Sequence, residues 1–535
     1  MAFEDIKELV VGWKTDIKGN PDYWSKAKSV PGNQDADDLV RIKGESLANH
    51  TVLVAQSGSG KSFFLGRILE EIVIKTRARV VILDPNGDFR RFSEVVKDEE
   101  WKTYATKKPK YPHEPSRSDF EPKWKAMEIV VYGGPQNRPK ESQFLKIGWD
   151  TFPISFLSEE LEPIGQSQVY HCHEFVKAIM LLEALTNWDL SGSTKKTSTT
   201  SALLHARTLL KRSRAEGIRT VLDDVFPIVE EHDQGNQRPE KWFLPSLPFV
   251  LTLGTDWRKL SADDARARAI AAAEFVTPEV ERFYFGRANE YVAAKLVSDS
   301  LFHRPAIDAK KVAVIDLPSF QDSRVARVVL SSIVETFWSQ ARQNWAKAFE
   351  KAAEKDDRVP VFLVMEEAHN IVPSGQLSPS ASALRDQIRT IAAEGRKYGV
   401  FLILVTQRPD KIDPLIVSEC ENRAVMRIAE SAVDITSKLL SLEVEKDYRI
   451  KRLSSLQKGR FVLVGPWASE CSDIIGLAAM RRTEEGGRSL QETYWVQPES
   501  TAPKPKPSGK PKQGPTSTTP PRSKPDDGIT DKPKP

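Results

Sequence analysis

Cysteine is nearly absent from this 535-residue chain, and the three present, Cys172, Cys420 and Cys471, are odd in number and far apart. That excludes a disulfide framework and a Cys-x-x-Cys metal site, and leaves ordinary core thiols. Long apolar runs are missing too: no window approaches the ~18 uninterrupted apolar residues of a membrane span. Met1 to Trp13 carries acids where a secretory leader would be basic and apolar. Both absences point to a cytoplasmic protein without a membrane span. An excess of charge of one sign is lacking over most of the chain. The formal net charge is +4, and Thr501 to Pro535 alone holds seven Lys and one Arg against three Asp, a net of +5, so the rest sums to −1. The ten prolines of that tail and its want of apolar side chains leave it extended and unable to bury a core. It reads equally as a solubilising linker or as a salt-sensitive strand for phosphate backbones.

What the chain does have is 40% apolar content, enough for a large core and two or three folding units. Its organising stretch is Ala55-Gln56-Ser57-Gly58-Ser59-Gly60-Lys61-Ser62, which fits A/G-x-x-x-x-G-K-S/T. Thr51 to Val54 before it reads as a buried strand, and Phe63 to Ile74 after it places apolar residues at helical spacing. Strand, loop and helix in that order make a phosphate cradle. Backbone N–H groups and the helix N-terminus face the β-phosphate, Lys61 reaches the β- and γ-phosphates, and the Ser62 hydroxyl ligates Mg²⁺. ATP and Mg²⁺ are therefore the expected cofactors.

Arg79 to Asp84 is a second strand, ending in Asp84 before a Pro-Asn-Gly turn. Asp84 stands where ligands bind in open α/β sheets, and it is equally common turn chemistry. Residues 98–125 read as an irregular excursion and Glu128 to Tyr132 as a short strand. Helical periodicity then runs through Val169, Cys172, Val176 and Ile179 and through Leu203, Ala206 and Leu210. His171-Cys172-His173 cannot aim three side chains at one ion from one helix, so no zinc site is expected. Lys211-Arg212-Ser213-Arg214 reads as a solvated helix end that complements the dipole.

Alternation of strands and helices returns at Val312 to Asp316. After a long amphipathic helix, Val361 to Met365 is an apolar strand ending in Glu366 and Glu367. One acid can hold Mg²⁺ and the next can polarise the attacking water, with Glu366 standing where Asp is usual. A helix over Ala383 to Lys397 ends in Arg396 and Lys397, cations that either satisfy helix carbonyls or reach a neighbouring subunit's nucleotide. The continuous apolar strand Val400 to Val405 ends at Thr406-Gln407, whose amide can sense the γ-phosphate. Further strands are expected at Ala424 to Ile428 and Phe461 to Val464.

The expected organisation is α/β. A short lead segment, 1–47, holds a brief helical pattern. A first part of the ATPase core, 48–157, carries the P-loop. A mainly helical insertion, 158–308, follows, then the second part of the core, 309–496, and a disordered tail, 497–535.

Taken together, Gln56 to Ser62, Leu83 to Gly87, Ile315-Asp316-Leu317, Glu366 to Asn370, Glu394 to Gly399 and Thr406 to Pro409, in this order, resemble the HerA branch of the HerA/FtsK ATPases. The resemblance covers roughly residues 48–157 and 309–480. It implies a RecA-like core in a homo-hexameric ring that moves or unwinds DNA, with a nuclease or a defence effector as partner. It makes Glu367 the catalytic carboxylate, Gln407 the sensor and Arg396 the finger acting in trans, and favours Asp84 as a metal-proximal acid. The family's long N-terminal β-barrel is not expected in the 54 residues before the P-loop. Rival readings are a conjugative DNA-transfer ATPase, a nucleotide-gated scaffold of a bacterial defence complex, and an ATPase acting on protein.

Overall fold

A computed structural model describes residues 8–15, 39–106, 115–135, 137–149, 152–158, 163–186, 198–226, 251–252, 255–256, 261–293, 295–297, 310–320, 322–350, 358–439, 450–468 and 475–486. Twelve of the described strands form one sheet. They are β1 (Leu9–Lys14), β2 (Leu39–Ile42), β3 (Thr51–Val54), β4 (Arg79–Asp84), β5 (Ile129–Gly133), β6 (Gln143–Phe144), β7 (Val312–Asp316), β8 (Val361–Met365), β9 (Val400–Thr406), β10 (Asn422–Val425), β11 (Arg460–Val464) and β12 (Ile475–Ala478). Their spatial order is β2-β1-β12-β11-β10-β3-β9-β8-β4-β7-β5-β6. From β10 to β6 every pairing is parallel, and from β10 outward to β2 every pairing is antiparallel.

The central strands are apolar along both faces because helices cover both. In β3, Val52 faces one core with Val81, Leu363 and Leu402, while Leu53 faces the other with Val80, Phe362 and Phe401. This is the period-two alternation of a pleated strand read into two separate interiors. Helix α1 (Lys61–Lys75) packs in the second core through Phe64, Leu65, Ile68 and Leu69. The first core takes α2 (Pro163–Thr186), α3 (Thr199–Glu216), α4 (Ile218–Val225), α5 (Ala262–Ala273) and α6 (Pro278–Ala293). It also holds the long α7 (Ser323–Glu350) and α8 (Pro379–Tyr398).

Several expectations need correction. The lead segment's helical pattern is instead strand β1, whose register with β12 pairs Trp13 with Leu477 across more than 450 positions. A partner so distant cannot be read from local periodicity. The supposed excursion at 98–125 contains helices Asp98–Thr106 and Arg117–Lys125, the latter capped by Ser116 Oγ accepting from the Asp119 amide. Strands β2, β6 and β12 are additional, and the strand expected over Ala424 to Ile428 is β10, Asn422–Val425. The tail lies outside the described residues.

One buried polar cluster joins β1 and the segment after β12 to α1. Arg67 donates to Val10 O at 3.0 Å and Met480 O at 2.9 Å, and pairs with Glu71 at 3.1 Å. Glu70 accepts from the Arg482 and Thr483 amides at 2.9 and 2.8 Å. Arg481 donates to Ser62 O at 3.1 Å and Glu484 O at 3.1 Å. Buried charge is tolerable here because each group is met by an opposite charge or a backbone dipole.

Gly66 leaves room for that arginine: a Cβ added there would stand 2.6 Å from Arg481 Cδ and Nε. Gly66→Ala should lower the thermal midpoint, at a cost of about 1–3 kcal/mol from overpacking. Gly286→Ala, on the exposed face of α6 with nothing within 4 Å, should raise it through up to ~1 kcal/mol of added stability. Equal midpoints in a denaturation series would contradict the packing.

Candidate nucleotide and metal site

The parallel register brings the C-terminal ends of β3, β9, β8 and β4 to one edge of the sheet, and the loop after β3 occupies it. Gly58 and Gly60 have φ of +73° and +96°, conformations that let the main chain curl into a cradle without a Cβ clash. The loop is held from both flanks. Ala55 N donates to Thr406 O at 3.0 Å, Gln56 N to Arg427 O at 2.8 Å, and Gly459 N to Ser59 O at 2.8 Å. Ser59 Oγ bonds Gln56 O at 2.6 Å across the loop. Residues Gln56 to Gly58 at its tip are exposed, and Lys61 is buried at the start of α1.

Lys61 Nζ pairs with Glu367 Oε1 across 306 positions and lies 3.9 Å from Glu366 Oε1. Strand β9 intervenes between β3 and β8, so the ammonium reaches over its tip to the acids that end β8. Ser62 Oγ stands 2.6 Å from Asp88 Oδ2 and 3.2 Å from Glu366 Oε1. Glu367 adopts φ 46° and ψ 47°, a left-handed conformation costly for a residue with a Cβ. Its Oε2 lies 3.4 Å from His369 Nδ1, which in turn lies 3.1 Å from Thr406 Oγ1. Burial lowers the His369 pKa, against the pull of Glu367.

Glu366 and Glu367 stand beside the Lys61 ammonium, Asp88 meets Ser62, and Asp84 lies near enough to act on Glu366. Burial pushes Glu366 up to about 8 against the pull of Lys61, with Asp84, Asp88 and Glu367 adding to the rise. Oε2 of Glu366 and of Glu367 is buried without a hydrogen-bond partner. An all-oxygen set of hydroxyl and carboxylates, with orphaned acceptors and surplus negative charge, fits a hard divalent cation such as Mg²⁺. Ser62, Glu366 and Asp88 are the residues that would hold it. Among the described residues no group of three or more His, Cys, Asp or Glu forms a complete metal cage.

Asp84 is placed differently from a metal-proximal acid. Its Oδ1 accepts from the amides of Asn86, Gly87 and Asp88 at 3.2, 2.8 and 3.2 Å, and Oδ2 from Phe89 N at 2.8 Å. Burial outweighs those donors and pushes its carboxyl up to about 6. Asp84 builds the turn that carries Asp88 to Ser62. Asp88 is the acid missed in the sequence; its signal was a second carboxylate four residues past the strand end. Arg481 was missed as well.

Gln407 is exposed at the tip of β9, beside the loop. Arg396 lies elsewhere. It ends α8 just before β9 starts, about 20 Å from the Thr406 end at ~3.3 Å per residue, and its guanidinium pairs with Glu421. Within one chain it does not join Lys61 and Glu367. His171, Cys172 and His173 diverge: His171 stacks on Phe275, Cys172 is buried, and His173 Nδ1 meets Tyr284 Oη at 2.8 Å. In the basic cluster, Arg214 pairs with buried Glu281 at 2.6 Å, and Arg212 pairs with Glu216 and Asp224.

The chain is similar to known proteins. The family model described as helicase HerA, central domain, matches residues 33–337, and the ATPase family associated with various cellular activities matches residues 309–428. The DNA double-strand break repair helicase HerA of Pyrococcus furiosus is 23% identical over 448 residues, covering 80% of this chain and 65% of the relative. The protein of the same name from Sulfurisphaera tokodaii is 34% identical over 160 residues, 29% of each chain. The chain thus spans just under two thirds of the length of the Pyrococcus relative. Among solved structures, the plasmid coupling protein TrwB in complex with ADP and Mg²⁺ aligns at TM-score 0.41 and 10% identity, covering 90% of this chain and 97% of that one.

Removing the Asp84 carboxylate strands four turn amides, two of them, on Gly87 and Phe89, in buried residues. Asp84→Ala should therefore cost about 2–4 kcal/mol of stability, seen as a lower denaturation midpoint. A variant that kept its midpoint and lost only metal response would return Asp84 to the metal.

Proposed function

The chain belongs to the family of the HerA helicase central domain, and from that premise we propose that it hydrolyses ATP with Mg²⁺ as a ring motor acting on DNA. The carrying observation is the convergence of Lys61 and Glu367, with Ser62, Asp88 and Glu366 beside them, at the mouth of a glycine-curled loop. Loop amides and Lys61 bind the phosphates, and the Lys61 ammonium is shared between those oxygens and Glu367. As Lys61 moves onto phosphate, Glu367 loosens and its carboxylate accepts the proton of the attacking water. Mg²⁺, when bound, screens the charge on the phosphates. Gln407 orients the water from the tip of β9.

Arg396, on the far edge of its own sheet, serves the nucleotide of a neighbouring subunit in a closed homo-hexamer. It leaves Glu421 to do so. DNA as the track follows from the relatives, which are DNA double-strand break repair helicases, and a nuclease or defence effector is the expected partner. No described helix is long and apolar enough to cross a membrane.

Lys61→Ala and Glu367→Gln should each reduce ATP turnover more than about a hundredfold. Arg396→Ala should do the same while nucleotide affinity stays within about threefold; normal hydrolysis by that variant would refute the role in trans. Asp88→Ala should raise the Mg²⁺ needed for half-maximal turnover by about tenfold, and chelation should abolish turnover. Stimulation of turnover by duplex DNA is expected of the motor. Activity indifferent to DNA would favour a nucleotide-gated scaffold.

A further inference from the structure

Strand β3 lies between β9 and β10, so the phosphate loop is flanked at its root on both sides. The β9 flank leads on to β8 and holds Gln407, Glu366 and Glu367. The β10 flank holds Arg427. Parallel pairing sets Val425 beside Val54, and two further bonds continue the register past both strands: Met426 N to Val54 O at 2.9 Å and Gln56 N to Arg427 O at 2.8 Å. The backbone of Arg427 is thereby tied to the second residue of the loop. Its guanidinium stands by the loop tip, with Nη2 4.0 Å from where a Cβ on Gly58 would lie.

Arg427 is half-buried, yet its guanidinium makes no hydrogen bond or ion pair among the described residues. That sets it apart from Arg67, Arg90, Arg389, Arg396, Arg481 and Arg482, each of which meets a carboxylate or carbonyl. An unpaired guanidinium anchored at an anion cradle is suited to an anionic ligand, and its planar fork suits phosphate. The side it occupies decides which part of the ligand it meets. Water activated by Glu367 attacks the terminal phosphate, which must therefore lie toward β8 and β9. With the β-phosphate at the N-terminus of α1, the rest of the nucleotide extends toward the opposite flank.

We propose that Arg427 is a binding residue for the α-phosphate and ribose end of the nucleotide, supplied from the same chain and distinct from the hydrolytic machinery. This rests on the nucleotide-binding reading above and adds an orientation to it: nucleoside over β10, γ-phosphate over β8. Because that end of the molecule is common to ATP and ADP and is unchanged by hydrolysis, Arg427 contributes equally to ground state and transition state.

The test is Arg427→Ala and Arg427→Lys in the full-length protein, with calorimetric affinities for ADP, a non-hydrolysable ATP analogue and inorganic tripolyphosphate, alongside steady-state turnover. Arg427→Ala should weaken ADP, the analogue and tripolyphosphate alike by about tenfold, since each sets a phosphate at the α position, raise KM and leave kcat within about twofold. Arg427→Lys should recover part of the loss, and the denaturation midpoint should not move. A loss confined to triphosphates, or a fall in kcat at constant KM, would overturn the orientation, as would unchanged affinities in a variant of a protein that does bind ADP. If the unaltered protein bound neither nucleotide and matched Lys61→Ala, the nucleotide reading itself would fall, and this proposal with it.

Discussion

One buried ammonium, met by the two acids that end β8, governs the design of this molecule. Lys61 is buried at the start of a helix, and its charge is met by Glu367 and, more remotely, Glu366. A buried cation without a counter-charge, or a buried carboxylate without a donor, would cost several kcal/mol. The edge of the sheet is therefore arranged so that each charge limits the cost of the others. Burial raises Glu366, and the oxygens gathered around Ser62 make the place receptive to a divalent cation and to the phosphates that accompany it. Glu367 bears a further cost in its left-handed backbone. Such strain persists only where surrounding structure over-determines it, here β8 on one side and the short helix Ala368–Ile371 on the other.

Holding that edge together requires more than the central strands. The loop is bonded to chain leaving β9, chain leaving β10 and the turn before β11. Helix α1 behind it is braced by the polar cluster of Arg67, Glu70, Glu71, Arg481 and Arg482, which draws in β1 from one end of the described chain and the segment after β12 from the other. Arg481 donates to Ser62 O and approaches Asp88 O at 3.5 Å, so one guanidinium bears on the backbone of both residues whose side chains meet at 2.6 Å. The antiparallel half of the sheet thus serves the parallel half. It carries the braces, while the parallel strands carry the chemistry.

Much of this was legible because it is local. A glycine-rich octapeptide between a β-branched run and a helical period identifies its own loop, and a continuous apolar strand ending in two carboxylates identifies an acid edge. Strands β3, β4, β7, β8 and β9 and helices α1, α7 and α8 declare themselves by periodicity. Order among separate motifs added the family resemblance, which the match over residues 33–337 supports independently. Strand β1 was obscured because its six residues pair with β12 from the other end of the described chain, and the helices within 98–125 because Lys, Pro and Trp mask a short amphipathic period.

Sequence by itself determined the chemical inventory: a phosphate loop, a pair of acids, a terminal amide, few thiols and no long apolar run. Which members of that inventory share a site was decided only by tertiary structure, because parallel register places strand ends from positions 54, 84, 365 and 406 on one edge regardless of their separation. Register put Asp88 beside Ser62 and turned Asp84 into the support of a turn. It sent Arg396 to the far edge and left Arg427, among the described residues, unpaired against the loop. A side chain's type is written in the chain, but its neighbours follow from hydrogen bonds between strands hundreds of residues apart.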